Sequence, residues 1–331
     1  MPTRDSNQTL SVYYSTDFSV SEGVAHGDGL TIADDLVMDD VYQLSDFAER
    51  RKLSLHFQAE RGLFEVAEGS ALGATGNLVV IDCCVTIMGT SGVTQEVLVL
   101  VEVEDDTIAE IYLLPLAELN PKSDYRLVGV DRHIATKRFA EVACVSFTKG
   151  THITVASGKQ VPIEELRAGD KVLTRDDGPQ EVRWVGRKTL RATGDFAPVV
   201  IKEGALNNTN DLIVSPDNRL FIYQRQDKLG TGRAEVLVKA RQLINGDTVV
   251  QQPGGYVDYY QLLFDEHQII YAEGIAAETL LVNPRTQTAL PSDVEAAQSV
   301  HAHREHMNYE VQDTLLSQKD AIRLLKEASA S

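Results

Sequence analysis

Short runs rich in β-branched residues, each followed by turn-forming residues, recur along most of this chain. Residues 95–103 and 108–115 are two such runs, and Asp105 and Asp106 lie between them. Partial alternation of apolar and polar residues in such runs is typical of β-strands. We therefore predict that residues 10–140 are mostly strands. The same pattern after residue 145 predicts a closed or folded-over β-structure, with turns at the dipeptides Gly169-Asp170, Asp177-Gly178 and Gly246-Asp247.

Length and charge both divide the chain. Its 331 residues exceed the size of about 250–300 residues at which single cores stop growing, which favours two domains. Residues 1–145 contain 10 basic and 24 acidic side chains, whereas residues 146–331 contain 21 and 25. The prediction is a mainly β protein with an acidic N-terminal β-domain over 1–145, a second β-domain over 146–291 and a helical tail over 292–331.

Composition excludes several classes of protein. No run of about 18 uncharged apolar residues occurs, so we expect no membrane span. The polar start lacks the apolar stretch of a secretory signal, which makes a cytoplasmic location the default expectation and leaves non-classical export open. A net charge of −18 repels phosphate backbones, so nucleic acid is not an expected partner.

Potential metal ligands are present but lack the spacing of metal sites. Cys83 and Cys84 lie in an apolar run, which predicts buried, inert thiols. The acidic stretch 28–40 does not match an EF-hand, so we interpret it as a solvated loop. We interpret a histidine group in the tail as a surface patch: His301, His303 and His306. The expectation is no metal and no cofactor.

The tail carries a helical pattern. Residues 310–327 place apolar side chains at helical intervals, and Ser317 is a suitable N-cap for a final amphipathic helix. The apolar face of that helix would pack on its own domain or on a partner and consists of Ala321, Ile322, Leu324 and Leu325.

A set of ordered motifs begins at the predicted domain boundary. Residues 146–151 place a serine before Phe147, Gly150 and Thr151, and residues 166–172 end in a Leu-x-x-Gly-Asp-x-Val pattern. Two further blocks follow at 212–221 and 238–249, and another at 259–274. Together they resemble a Hint domain, the module of Hedgehog autoprocessing proteins and inteins, over about 146–283. The resemblance looks closest to bacterial Hint-like proteins with a separate N-terminal β-domain.

The resemblance implies a flat, pseudo-twofold β-horseshoe that acts on its own chain. In the family a Cys or Ser attacks the carbonyl before it, and water or another nucleophile resolves the acyl intermediate. A histidine in a Thr/Ser-x-x-His pattern protonates the departing amide nitrogen. Carried onto this chain, Ser146 is the nucleophile, Val145–Ser146 is the scissile bond, and Thr151 and Ser215 are motif positions of the site.

Two departures from the family pattern predict weak activity. Asn218 stands where the activating histidine is expected, and an amide cannot supply a proton near neutral pH. Ser146 supplies a hydroxyl, which forms far less anion than a thiol does. His267 matches a family position that assists later steps, and Asp265 could orient it or share its proton. A structural role for His267 remains equally open.

Alternatives remain for the nucleophile and for the function. Cys144 could replace Ser146 but is out of register with Phe147, and His152 could act as a substitute base only if the chain bends. Thr148 could supply a polar contact or simply favour a strand. No His-Asn pair ends the module, so true splicing is not expected. The sequence thus predicts single-turnover autocleavage with an unknown acceptor nucleophile or, alternatively, an inactive Hint fold that binds a protein partner.

Overall fold

The computed structural model describes residues 8–58, 63–144, 146–224, 232–287, 289–291, 294 and 300–302. The chain divides into two compact units, Met1–Glu141 and Val142–Ser331. Strands dominate both units, which confirms the mainly β fold class. In this described part, no helix is both long and apolar enough to span a membrane.

The first unit contains nine antiparallel strands in one sheet. Six of them form a closed ring in the order β6, β5, β4, β1, β8, β7, because β7 also pairs with β6, and β9, β3 and β2 extend the sheet from β6. The strands are β1 Gln8–Tyr14, β2 Phe18–Glu22, β3 Val41–Leu44, β4 Arg51–Gln58, β5 Leu63–Val66, β6 Leu78–Gly89, β7 Thr94–Glu104, β8 Thr107–Pro115 and β9 Tyr125–Asp131.

Strand β7 shows why its sequence is apolar almost without interruption. Val97 and Val99 pack into one hydrophobic cluster, and the alternate residues Leu98 and Leu100 are also fully buried. Successive side chains of a strand point to opposite faces, so both faces of β7 are covered. The predicted turn at Asp105 and Asp106 is confirmed, because both have positive φ between paired residues of β7 and β8.

The acidic stretch is only partly the solvated loop that we predicted. Asp34 is exposed and forms an ion pair with Arg132 at 2.7 Å. Asp40, however, is 2% exposed, and its carboxylate accepts the backbone N–H groups of Val24 at 2.7 Å and Ala25 at 3.0 Å. Burial of Asp40 is possible because these donors replace its water shell.

Helix α1, Ala135–Ala143, follows the first unit's strands and was not predicted. Asp131 accepts the N–H groups of His133 and Ile134 just before the helix, at 2.8 and 3.1 Å. Phe139 is 1% exposed and meets the Phe64 ring edge-on at 5.4 Å. The chain therefore forms a helix that ends at Ala143, three residues before Ser146.

The second unit contains two antiparallel sheets around a common hydrophobic core. One sheet has the order β15, β21, β10, β17, β16, β20, and the other has β12, β11, β22, β23, β18, β19 with β13 and β14 attached. The strands are β10 Phe147–Thr148, β11 His152–Thr154, β12 Gln160–Pro162, β13 Lys171–Thr174, β14 Gly178–Glu181, β15 Trp184–Arg191, β16 Val199–Ile201, β17 Leu212–Val214, β18 Arg219–Tyr223, β19 Glu235–Lys239, β20 Val249–Gln251, β21 Tyr256–Leu263, β22 Ile269–Ala272 and β23 Ile275–Glu278.

A short helix α2, Pro284–Gln287, follows these strands. The predicted terminal helix with Ser317, Ala321, Ile322, Leu324 and Leu325 lies outside the described residues, as do His303 and His306. The surface interpretation of His301 is wrong, because this residue is only 8% exposed and is hydrogen-bonded to the chain. Cys83 and Cys84 are buried free thiols, as predicted, and burial raises the pKa of Cys84 to about 12.

Candidate functional site

Ser146 lies immediately before β10 and is 4% exposed. Strand β10 runs between β17 and β21, since Phe147 pairs with both Val214 and Tyr260. Side chains within β21 and just after β17 can therefore reach Ser146. This position in the sheet explains why two blocks that are distant in sequence form one site.

Ser215 holds the backbone of Ser146 on one side. The Ser146 N–H donates to Ser215 Oγ at 2.9 Å, and the Ser215 N–H donates to the Ser146 carbonyl oxygen, also at 2.9 Å. The nitrogen in the first bond is the one that would leave in the expected reaction. Ser215, a predicted site residue, thus contacts the peptide unit that the reaction would change.

Asn218 lies in the same loop and is fully buried. Its Nδ2 donates to the Ser146 carbonyl oxygen at 3.4 Å, and its Oδ1 has no hydrogen-bond partner within the described part of the chain. Arg241 steadies the loop through an ion pair with Asp217 at 2.6 Å. The amide therefore contacts the backbone carbonyl of the candidate nucleophile residue but offers only weakly acidic protons.

Gln261 is a site residue that the sequence did not reveal. Its Nε2 donates to Ser146 Oγ at 3.2 Å. Strand β21 is antiparallel to β10 with Phe147 opposite Tyr260, so Gln261 comes next to Ser146 across the ladder. The only signal for it would have been the strand pairing, because a glutamine in a strand has no distinctive spacing.

His267 is 1% exposed and forms a pair with Glu278, whose Oε1 lies 3.1 Å from His267 Nε2. Arg219 donates to the other Glu278 oxygen at 2.8 Å. Burial raises the pKa of Glu278, but the opposing charges of Arg219 and His267 outweigh it, so the pKa falls to about 2. Glu278 is thus a buried carboxylate that the sequence interpretation missed.

Asp265 was expected to orient His267, yet it lies on the surface with Arg183. Its side chain is 69% exposed, and Arg183 donates to both of its oxygens. Hydrogen bonding from Arg183 holds the pKa of Asp265 below its usual value. The carboxylate at hydrogen-bond distance from His267 is therefore Glu278.

The threonines near Ser146 make their described contacts elsewhere. Thr148 Oγ1 donates to the Ile213 carbonyl at 3.0 Å, and the buried Thr151 accepts the Ile163 N–H on its own carbonyl at 2.8 Å. Both contacts hold neighbouring segments of the second unit together. The described contact of Thr151 is therefore structural.

His152 and Cys144 also occupy other surroundings. His152 Nδ1 lies 2.9 Å from Glu273 Oε1, and the His152 N–H donates to the same oxygen at 2.7 Å. Cys144 is 6% exposed and packs in an apolar cluster with Leu263 and Leu280. The contacts of His152 do not support the substitute-base alternative, and Cys144 is a buried thiol.

A metal ion would need a group of ligands that the described residues do not supply. No group of three or more His, Cys, Asp or Glu side chains in those residues is placed to hold one. The polar groups around Ser146 are a hydroxyl and two amides, which suit hydrogen bonding to a peptide more than metal binding.

Among the comparisons with known proteins, a family model agrees with the motif pattern. No curated protein matches this chain. Two solved structures align with part of this chain over nearly their own whole length. One is the Ssp DnaB mini-intein variant M86, with 14% identity, 42% of this chain and 97% of that chain covered, and a TM-score of 0.27. The other is the gp41-1 intein, with 12% identity, 40% of this chain and 96% of that chain covered, and a TM-score of 0.25. These TM-scores are too low to support a conclusion about this chain. The sequence model of the Hint domain family matches residues 145–284, and this chain therefore carries a Hint domain over that range.

Proposed function

We propose that this chain processes itself, with Ser146 as the nucleophile for one-sided cleavage of the Val145–Ser146 bond. The observation that carries the proposal is the set of hydrogen bonds on Ser146. Ser215 Oγ accepts its N–H at 2.9 Å, and Gln261 Nε2 donates to its Oγ at 3.2 Å. The leaving nitrogen and the attacking oxygen thus each have a dedicated polar partner.

The proposed reaction has two steps. Ser146 Oγ adds to the Val145 carbonyl carbon, the carbon–nitrogen bond breaks, and the hydroxyl proton is transferred overall to the Ser146 nitrogen, which becomes an amine. Water then adds to the ester and releases a carboxylate at Val145 and the free Ser146 hydroxyl. The products are pieces of 145 and 186 residues.

The site supports a slow first step. Gln261 can stabilise a developing alkoxide on Ser146, but it has no basic group that removes the hydroxyl proton. Asn218 cannot protonate the leaving nitrogen, and general acid catalysis is worth about 10²–10⁴-fold. The activity is therefore single-turnover and impaired, and the acceptor is water or a small nucleophile.

A second candidate function is a Hint fold without chemistry that binds a protein partner. The observation in its favour is Asn218, which is fully buried at the expected position of the proton donor. A buried amide that donates to a carbonyl stabilises the loop without contributing a titratable proton. The acidic first unit would then be the fused domain that the module supports.

Intact mass spectrometry of the purified full chain, kept for days at neutral pH, tests both candidates. Parallel samples contain hydroxylamine or dithiothreitol, which intercept an ester. Pieces of 145 and 186 residues would support self-processing. An unbroken chain in every sample, with the fold intact by circular dichroism, would favour the binding module.

A further inference from the structure

His301 connects two backbone segments that together carry the His267–Glu278 pair. Its N–H donates to the Val282 carbonyl at 2.8 Å, and the Val282 N–H donates to its Nδ1 at 3.1 Å. Its Nε2 lies 3.2 Å from the Phe264 carbonyl oxygen. Phe264 lies three residues before His267 and Val282 lies four residues after Glu278, so His301 bridges both segments.

These contacts specify the protonation state of His301. A backbone N–H is a donor, so Nδ1 must accept from Val282 and carries no proton. The carbonyl of Phe264 is an acceptor, so Nε2 carries the proton and donates it. Only the neutral imidazole with its proton on Nε2 satisfies both neighbours.

The His301 ring also faces His267 directly. The two ring centroids lie 6.3 Å apart with an interplanar angle of 35°, and both side chains are buried. Glu278 Oε1 lies 3.1 Å from Nε2 of His267. The imidazole of His267 thus has both a carboxylate and a second imidazole as neighbours.

We infer that His301 is a positioning residue that holds His267 against Glu278, and that it does so only in its neutral form. The role of His267 in cleavage rests on the proposed function, whereas the bridge itself does not. Protonation of Nδ1 would remove the acceptor for the Val282 N–H and place a second donor against it. The two segments would then lose one of their connections.

Several charged groups bear on this protonation. Asp265 lies near enough to interact electrostatically with His301 and favours its cationic form, but Arg183 offsets the charge of Asp265. Glu278 is likewise balanced by Arg219 at 2.8 Å. A charged His267 would oppose a second cation. Burial and the lost hydrogen bond add to this opposition.

The test compares two variants with a matched control in the full chain. His301→Asn keeps an oxygen that can accept from the Val282 N–H and does not titrate, but it gives up the Phe264 contact at every pH. His301→Leu removes both contacts. His133→Asn, at an exposed position of the first unit, is the control. Amide hydrogen exchange at Val282 and the ring signals of His267 are measured by NMR from pH 8 to pH 4, a range that extends well below the ordinary histidine pKa of about 6.5.

In the unmodified chain and the control, we expect Val282 protection to fall about tenfold through this range, after correction for intrinsic exchange. In His301→Asn, the Val282 amide should keep its protection across the range. The His267 signals in this variant should no longer show a change caused by protonation at position 301. A flat profile in the unmodified chain, or the same fall in His301→Asn, would overturn the inference. The comparison between the unmodified chain and His301→Asn tests the inference even if His301→Leu does not fold.

A cleavage assay separates this inference from the proposed function. It uses the background Asn218→His with Ser146→Cys, in which the His301→Asn variant should broaden the pH profile of cleavage toward acid. Cleavage with an unchanged profile would contradict the role of His301. Absence of cleavage in all chains would contradict the proposed function, while the exchange data would still decide whether the bridge titrates.

Discussion

Ser146 and Ser215 form a reciprocal pair, in which each residue donates its backbone N–H to the other at 2.9 Å. One acceptor is the Ser215 hydroxyl, and the other is the Ser146 carbonyl. The pair holds the backbone on both sides of the Ser146 Cα and includes the nitrogen that cleavage would release. The Ser215 hydroxyl thus satisfies a buried backbone N–H at the start of the strand, and that N–H belongs to the bond that cleavage would break.

Restoring the expected nucleophile and acid should increase cleavage. We expect Ser146→Cys with Asn218→His to yield pieces of 145 and 186 residues faster than the unmodified chain does, because a thiolate attacks and an imidazole protonates the leaving nitrogen. Intact mass spectrometry over time measures the rate. Asn218→His with Ser146→Ala is the control that keeps the acid and removes the nucleophile. An uncut, folded double variant with added thiol would argue against self-processing.

Removing the Gln261 amide should slow that cleavage. In the double variant, Gln261→Met keeps the side-chain length but loses the donor to the nucleophile, and hydrogen bonds to charged groups contribute about 1.5–3 kcal/mol. We expect the rate to fall by about 10- to 100-fold. Gln252→Met, at an exposed position of the same unit, is the matched control. Equal rates for the two substitutions would show that Gln261 has no part in the reaction.

Replacing Cys144 should leave the cleavage site unchanged. Cys144 is buried among apolar side chains, whereas Ser146 has polar partners on both sides. In the double variant we therefore expect Cys144→Ala to cut at the same bond, within a few-fold of the same rate. Mass spectrometry identifies the termini of both pieces. Loss of cleavage in Cys144→Ala, or a product of the parent double variant that ends at residue 143 and disappears in Cys144→Ala, would make Cys144 the nucleophile.

Glu278 should make the second unit sensitive to acid. Its folded pKa is depressed to about 2, so its stabilisation is present above the ordinary value of 4.5 and is lost as pH falls from there toward 2. The shift corresponds to about 3 kcal/mol of unfolding free energy. Urea unfolding followed by the fluorescence of Trp184, the sole tryptophan, reports on this unit.

Two substitutions identify the group responsible for this acid sensitivity. Glu278→Gln should lower the free energy of unfolding at pH 7 and flatten its dependence on pH between 4.5 and 2. Glu203→Gln, at an exposed position, should leave both unchanged. If the free energy of unfolding of Glu278→Gln fell as steeply with pH as that of the unmodified chain, other groups would be responsible for the acid sensitivity.

Local residue patterns were sufficient to predict the strands and the resemblance to the Hint domain family. Runs such as residues 95–103 form strands because β-branched side chains suit a pleated, buried surface, and Asp105 and Asp106 form the turn because they tolerate positive φ. The motif that begins with Ser146 and Phe147 has the spacing of the family motif, and the Hint domain match begins at residue 145. Helix α1 was missed because its short segment depends on the packing of Phe139 against Phe64.

The partners of the functional side chains depended on tertiary structure. Asp265 is close to His267 in sequence, yet Glu278 is its carboxylate, because β22 and β23 fold back as a hairpin and bring residue 278 opposite residue 269. Gln261 reaches Ser146 only through the register of β10 and β21. The sequence by itself determined which segments are strands and where the motif lies, since both follow from local residue types. The folded chain decided which polar groups meet, because strand pairing joins positions more than a hundred residues apart.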